Sequence, residues 1–208
     1  MQLFYAVWSV FVEPASPLSC DQSPSRSPST NWSVIHRLII EFWSKTLVGL
    51  RQLECLEFQS FHRYTRFKTL CAFLKILRLL DREEGIMHIH LTREEEGFGI
   101  CAGAYFAGKN PAIIMHNTGL LACSNAIYSL SIAHEIPVLL LVSYSGYFGE
   151  QNPWIAHPGL ATESALNALG VKYWILREPG EVSAVVKSAH QLMHASKRPG
   201  AILLPPKS

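Results

Sequence analysis

The chain has 208 residues, 49% hydrophobic and 16% charged, with a formal net charge of +2. That length suits one ordinary domain, or a domain plus a tail, with enough chain to bury a core. The balance lacks the basic footprint of a nucleic-acid binder, and no apolar run reaches the roughly 18 residues a membrane span requires.

Residues 1–80 carry 9 Lys/Arg against 5 Asp/Glu, and residues 81–208 carry 9 against 11. Met1 to Val12 is apolar but follows no basic residue, as a secretory signal would. Ser16 to Ser33 collects Pro, Ser, Asp and Asn and reads as a loop or linker; its Asn31-Trp32-Ser33 sequon reads as a chance match. Ile39, Ile40, Trp43, Leu47 and Leu50 could share a helical face, as could Phe73, Leu74, Leu77 and Leu80. Residues 1–68 match no known pattern and are expected to be an irregular extension, partly disordered or the product of a mis-assigned reading frame. The sheet would then lack its first strand. Residues 69–208 form the expected domain.

From Ile86 the pattern is regular. Strands are predicted over Ile86–Leu91, Ala112–Met115, Pro137–Ser143, Val171–Leu176 and Gly200–Leu204. Helices are predicted over Thr92–Ala107, about Leu120–His134, Leu160–Leu169 and Gly180–Ser196, with a long loop before the third. The alternation predicts an α/β fold, a parallel sheet flanked by helices. Ligands of such sheets bind outside the carboxyl ends of the strands, which singles out the loops 91–97, 116–120, 143–159 and 177–180.

The first of these loops holds Glu94, Glu95 and Glu96. Thr92 and Glu95 have the spacing of a capping box, and acids in a first turn suit the helix dipole. Gly97-Phe98-Gly99-Ile100-Cys101-Ala102 also fits a G-x-G-x-x-A dinucleotide fingerprint, although three adjacent acids would repel a pyrophosphate. Gly99, Ala102, Gly103 and Ala107 form a small-residue face that allows close approach. An acid at the mouth of a parallel sheet beside such a face suits general acid–base work. Five cysteines, Cys20, Cys55, Cys71, Cys101 and Cys123, are widely spaced without C-x-x-C, which argues for a reduced, cytoplasmic setting. His190 and His194 have metal-pair spacing but no third ligand, so they read as ordinary helix positions; His88 and His90 read as structural.

Arg93–Tyr105, Asn117-Thr118-Gly119-Leu120 with Asn125-Ala126, and Ile136–Glu150 resemble the pyrimidine-binding domain of thiamine diphosphate decarboxylases. The nearest likeness is to sulfopyruvate decarboxylase alpha subunits and phosphonopyruvate decarboxylases, over about Leu74 to Pro205. The resemblance implies the thiamine diphosphate-binding fold. It also implies that Glu95 hydrogen-bonds the cofactor's pyrimidine nitrogen, and that Asn117, Thr118 and Gly119 line the cofactor cleft. Glu95 could serve both cap and cofactor. His116 stands where the family usually has Gln and Ser145 where it usually has Arg, so both fall on the substrate side; Ser145 supplies no charge for a sulfonate. His157 reads as a surface-loop residue. The family's Gly-Asp-Gly motif, which holds Mg²⁺ and diphosphate, does not occur in this sequence. The implied protein is a hetero-oligomeric 2-oxo acid decarboxylase whose beta-type partner carries Mg²⁺, with no metal ligand in this chain. The alternatives are a non-catalytic module of the same fold that binds a partner, and an NAD-binding oxidoreductase fragment.

Overall fold

The structure is a computed structural model that describes residues 8–13, 80, 86–147 and 153–205. The linker with its sequon, the helical faces proposed before Leu80, and Cys20, Cys55 and Cys71 lie outside the described residues. Leu80 itself is helical and buried.

In chain order the elements are β1 (Trp8–Glu13), β2 (Met87–Leu91), α1 (Glu94–Phe106), β3 (Asn110–His116), α2 (Asn117–Ala122) and α3 (Ser124–Ala126). Then follow β4 (Leu139–Ser143), α4 (Pro153–Ala168), β5 (Lys172–Ile175), α5 (Val182–Ser196) and β6 (Gly200–Leu204). The strands form one sheet in the order β2-β1-β3-β4-β6-β5. β3, β4, β6 and β5 are mutually parallel, and helices cover the sheet.

The central strands are apolar along their whole length because both faces are covered. Ile113 and Met115 of β3, Leu140 and Val142 of β4, and Ala201 and Leu203 of β6 join one core. Phe98 and Cys101 of α1, Leu120 of α2 and Leu166 of α4 complete it. The alternate residues Ile114, Leu141, Ile202 and Leu204 turn to the opposite face. There α5 packs on β4, β5 and β6, burying Val182, Val186, Ala189 and Met193 at helical spacing.

The expected parallel sheet flanked by helices is present in β3, β4, β6 and β5. Three details differ from expectation. First, Trp8–Glu13, which falls in the expected extension, is a strand inserted between β2 and β3 and antiparallel to both. Without it, β2 and β3 would each expose a row of unpaired backbone groups, and a strand of either sense can satisfy them. Val10 of β1 is fully buried. Second, the helix expected over Leu120–His134 begins at Asn117, breaks at Cys123 and finishes as a π-helical stretch, Ile127–Ile132. Third, α4 begins seven residues before the expected Leu160, so Pro158 stands inside it. The proline suggested a loop because it cannot donate within a helix.

Truncating Val10→Ala should cost about 1–3 kcal/mol in urea unfolding, as expected when a buried aliphatic group leaves a void. A loss below about 0.5 kcal/mol, the usual surface value, would show that β1 is not part of the folded sheet.

Candidate active site

β3 ends at His116 and β4 at Ser143, and the two residues are register partners at the carboxyl edge of the sheet. From β3 the chain passes directly into α2. From β4 it leaves through Tyr144, Ser145 and Gly146, which has the positive φ (79°) that glycine tolerates. The shared edge brings His116, Asn117 and Ser145 together. His116 Nδ1 accepts from the Thr118 backbone N–H at 3.3 Å and lies 2.9 Å from the Thr118 hydroxyl; its Nε2 lies 2.9 Å from Ser145 Oγ. His116 is therefore the N-cap of α2, meeting a donor that the helix leaves unpaired. Burial pushes its pKa down to about 4.

Asn117 is fully buried. Its Nδ2 donates to the Ser145 carbonyl at 2.7 Å and to Thr162 Oγ1 at 3.1 Å, joining the starts of β3, β4 and α4 connections at one point. Among the described residues, Asn117 Oδ1 and Ser143 Oγ are buried without a partner, so two acceptors remain at this edge.

α4 is fastened over the same edge. Glu163 accepts from the phenols of Tyr144 and Tyr173, each at 2.7 Å. Burial, then Glu163, pushes the Tyr144 phenol up; the Glu163 bond comes first for Tyr173. Gly159 lies against the Gly146 turn so closely that an added Cβ would stand 2.6 Å from Gly146 Cα.

The three acids at the start of α1 separate. The N-cap position falls on Arg93, not Thr92, and its side chain makes no capping bond. The acid that reaches back is accordingly Glu96, whose Oε2 accepts from Thr92 N at 3.3 Å. The expected Thr92–Glu95 capping box does not form. Glu95 is 40% exposed in its side chain and pairs with Arg93 at 2.8 Å. Glu94 turns toward α2: a Cβ at Gly119 would stand 2.8 Å from its Cγ and Cδ atoms. Gly119 thus leaves room for the Glu94 carboxyl beside Thr118 and Asn117.

The dinucleotide fingerprint does not form a phosphate loop, because Gly97 and Gly99 lie inside α1 and Gly97 packs toward Leu91 and Val10. Gly99 and Gly103 are exposed on α1. His157 is exposed on α4 rather than in a loop. His190 and His194 stack at 4.2 Å between ring centroids, and burial, then His194, pushes His190 down to about 4. Cys101 and Cys123 are free, buried thiols pushed up by burial. Thr162 and Glu163 carry no motif and were invisible as site residues; only the tertiary approach of α4 reveals them.

These features define an α/β protein whose polar residues converge at the carboxyl ends of its strands, the ligand edge of such sheets. No family model matches the chain. It is 40% identical over 134 residues to sulfopyruvate decarboxylase subunit alpha of Methanocaldococcus jannaschii, spanning 64% of this chain and 79% of that protein. The corresponding subunit of Methanococcus maripaludis is 38% identical over 135 residues, 64% of this chain and 81% of the relative. A protein of Methanosarcina acetivorans named sulfopyruvate decarboxylase is 35% identical over 126 residues, 60% of this chain but 32% of the relative. The chain belongs to the sulfopyruvate decarboxylase alpha-subunit family, a family of decarboxylase subunits. Among the described residues, no helix is long and apolar enough to cross a membrane.

The depressed His116 and His190 values give stability a direction with pH. An unfolded histidine takes a proton below its ordinary value near 6.5, whereas these stay neutral in the fold down to about 4. Their contribution is complete above 6.5 and is lost as the pH falls to 4. Urea midpoints should drop between pH 7 and pH 4.5, and His116→Gln should shrink that drop. An unchanged drop in the variant would remove His116 from the account.

Proposed function

We propose that the chain is the alpha-type subunit of a thiamine diphosphate-dependent 2-oxo acid decarboxylase of the sulfopyruvate type, converting sulfopyruvate to sulfoacetaldehyde and CO₂. The observation that carries the reading is the pair of half-buried carboxyls, Glu94 and Glu95, at the mouth of the sheet, with Glu94 against Gly119, in a chain of this family. When bound, thiamine diphosphate supplies a group that stores the electron pair released as CO₂ departs.

The residues fit an aminopyrimidine. A carboxyl at this edge can share a proton with a ring nitrogen, and the buried Asn117 Oδ1 offers an unused acceptor nearby. Thr118 and Gly119 would line the same wall. We assign the activating carboxyl to Glu95, as the family resemblance implies; it and Glu94 are both half-buried at this edge, and its pairing with the exposed Arg93 is a surface contact that a ligand can displace. The edge offers a carboxyl, an amide and hydroxyls. Among the described residues, no group of three or more His, Cys, Asp or Glu could hold a metal ion. In the resembled family a Gly-Asp-Gly motif, which this sequence does not contain, holds Mg²⁺ and diphosphate, and on that ground both are assigned to a beta-type partner. Two observations support a partner: the word subunit in the relatives' names, and the match to only a third of the longer Methanosarcina protein. A second reading, a non-catalytic module of the same fold, is favoured by Ser145, an uncharged group bonded to His116 where a sulfonate would need a cation.

Reconstitution with candidate beta chains and a screen of 2-oxo acids decides between the readings. Glu95→Gln should lower kcat by about 100-fold or more, the usual scale for a missing proton-transfer group, while Glu94→Gln stays within about tenfold. The reverse pattern would move the role to Glu94. Activity indifferent to both changes, or absent with every partner, would overturn the proposal.

A further inference from the structure

The His116–Ser145 contact looks like a base beside a nucleophile, the geometry by which a histidine activates a serine. The hydrogen-bond directions exclude that. The Thr118 backbone N–H is a donor under all conditions, and it meets His116 Nδ1. We take Nδ1 to carry the lone pair, with the Thr118 hydroxyl at 2.9 Å turned to donate to it as well. In a neutral imidazole the proton then resides on Nε2, which faces Ser145 Oγ at 2.9 Å. Ser145 Oγ accepts from His116, so its own proton is not given to the ring and must be directed elsewhere. Ser145 is 4% exposed, and its carbonyl is already held by Asn117 Nδ2, so the residue is fixed at main chain and side chain alike.

We propose that His116 serves as an uncharged positioning residue, locked as the Nε2–H tautomer by the N-terminus of α2, and that it makes Ser145 a hydrogen-bond donor to an acceptor oxygen of the 2-oxo acid. The substrate-contacting part rests on the function proposed above; the tautomer does not. A protonated ring would set Nδ1–H against the Thr118 N–H, two donors face to face. Burial acts in the same sense, holding the ring neutral until about pH 4. The groups around the ring are Thr118 on α2, Ser145 after β4, and Asn117 with Thr162 behind them. Glu94 on α1 is the nearest carboxyl named on this wall, against Gly119. The edge thus offers substrate a neutral O–H rather than a cation, which suits carboxylate or carbonyl oxygen better than a strongly charged sulfonate.

Two measurements test this. In the full chain, ¹⁵N NMR of labelled histidine should report His116 with Nδ1 unprotonated and Nε2 protonated, unchanged from pH 8 to pH 5.5. An Nδ1–H tautomer, or a cationic ring at pH 6, overturns the proposal whatever the enzyme does. In the reconstituted complex, His116→Gln should keep kcat/KM within about threefold, because an amide can place its oxygen on Thr118 and its NH₂ on Ser145. His116→Ala and Ser145→Ala should each raise KM about tenfold, the scale of one hydrogen bond to a charged acceptor, with a smaller change in kcat. A His116→Gln variant as poor as His116→Ala, or a Ser145→Ala variant with unchanged KM, contradicts it. An inactive wild-type complex that retains the Nε2–H tautomer sinks the decarboxylase reading and the substrate contact with it, and leaves only the His116 tautomer standing.

Discussion

The close approach of the Glu94 side chain to Gly119 joins the start of α1 to the start of α2, and the rest of the candidate site depends on it. α1 follows β2 and α2 follows β3, so the contact spans the inserted strand β1 and ties three neighbouring strands at their mouth. It exists because residue 119 has no Cβ. Any larger residue would have to displace the Glu94 carboxyl.

Around that contact the edge is held by polar bonds, those of Asn117 buried, as well as by packing. Asn117 reaches Ser145 and Thr162, His116 reaches Thr118 and Ser145, and Glu163 gathers Tyr144 and Tyr173. The bonds tie α2, the turn after β4 and α4 to one another. Buried polar networks of this kind add specificity of geometry, because a misplaced member leaves its partners unpaired at a cost of about 1–3 kcal/mol. The unpartnered Asn117 Oδ1 and Ser143 Oγ are the exceptions, and they lie at the edge where a ligand would bind.

Much of this was legible in the sequence. The apolar runs of β3, β4 and β6 announced strands buried on both faces, and the rule for parallel sheets pointed to the loops 116–120 and 143–159, within which the family resemblance singled out His116, Asn117 and Ser145. What stayed hidden required phase or distance. Thr92 looked like the cap, but the helix starts one residue later, and the acid that reaches back is Glu96 instead of Glu95. β1 was unreadable because its partners, β2 and β3, come more than seventy residues later, and no local signal encodes such pairing. Pro158 concealed the first turns of α4, and with them the approach of Thr162 and Glu163 to the edge. Glu163 meets its tyrosines only through that approach.

The central claim is that the carboxyls at the start of α1, packed against Gly119, bind a thiamine-type ligand. Calorimetric binding of thiamine diphosphate with Mg²⁺ to the reconstituted complex, wild type against Gly119→Ala, tests it most directly. The account predicts binding weakened about tenfold or more in the variant while its thermal melt stays cooperative. Equal affinity of the two proteins would contradict it.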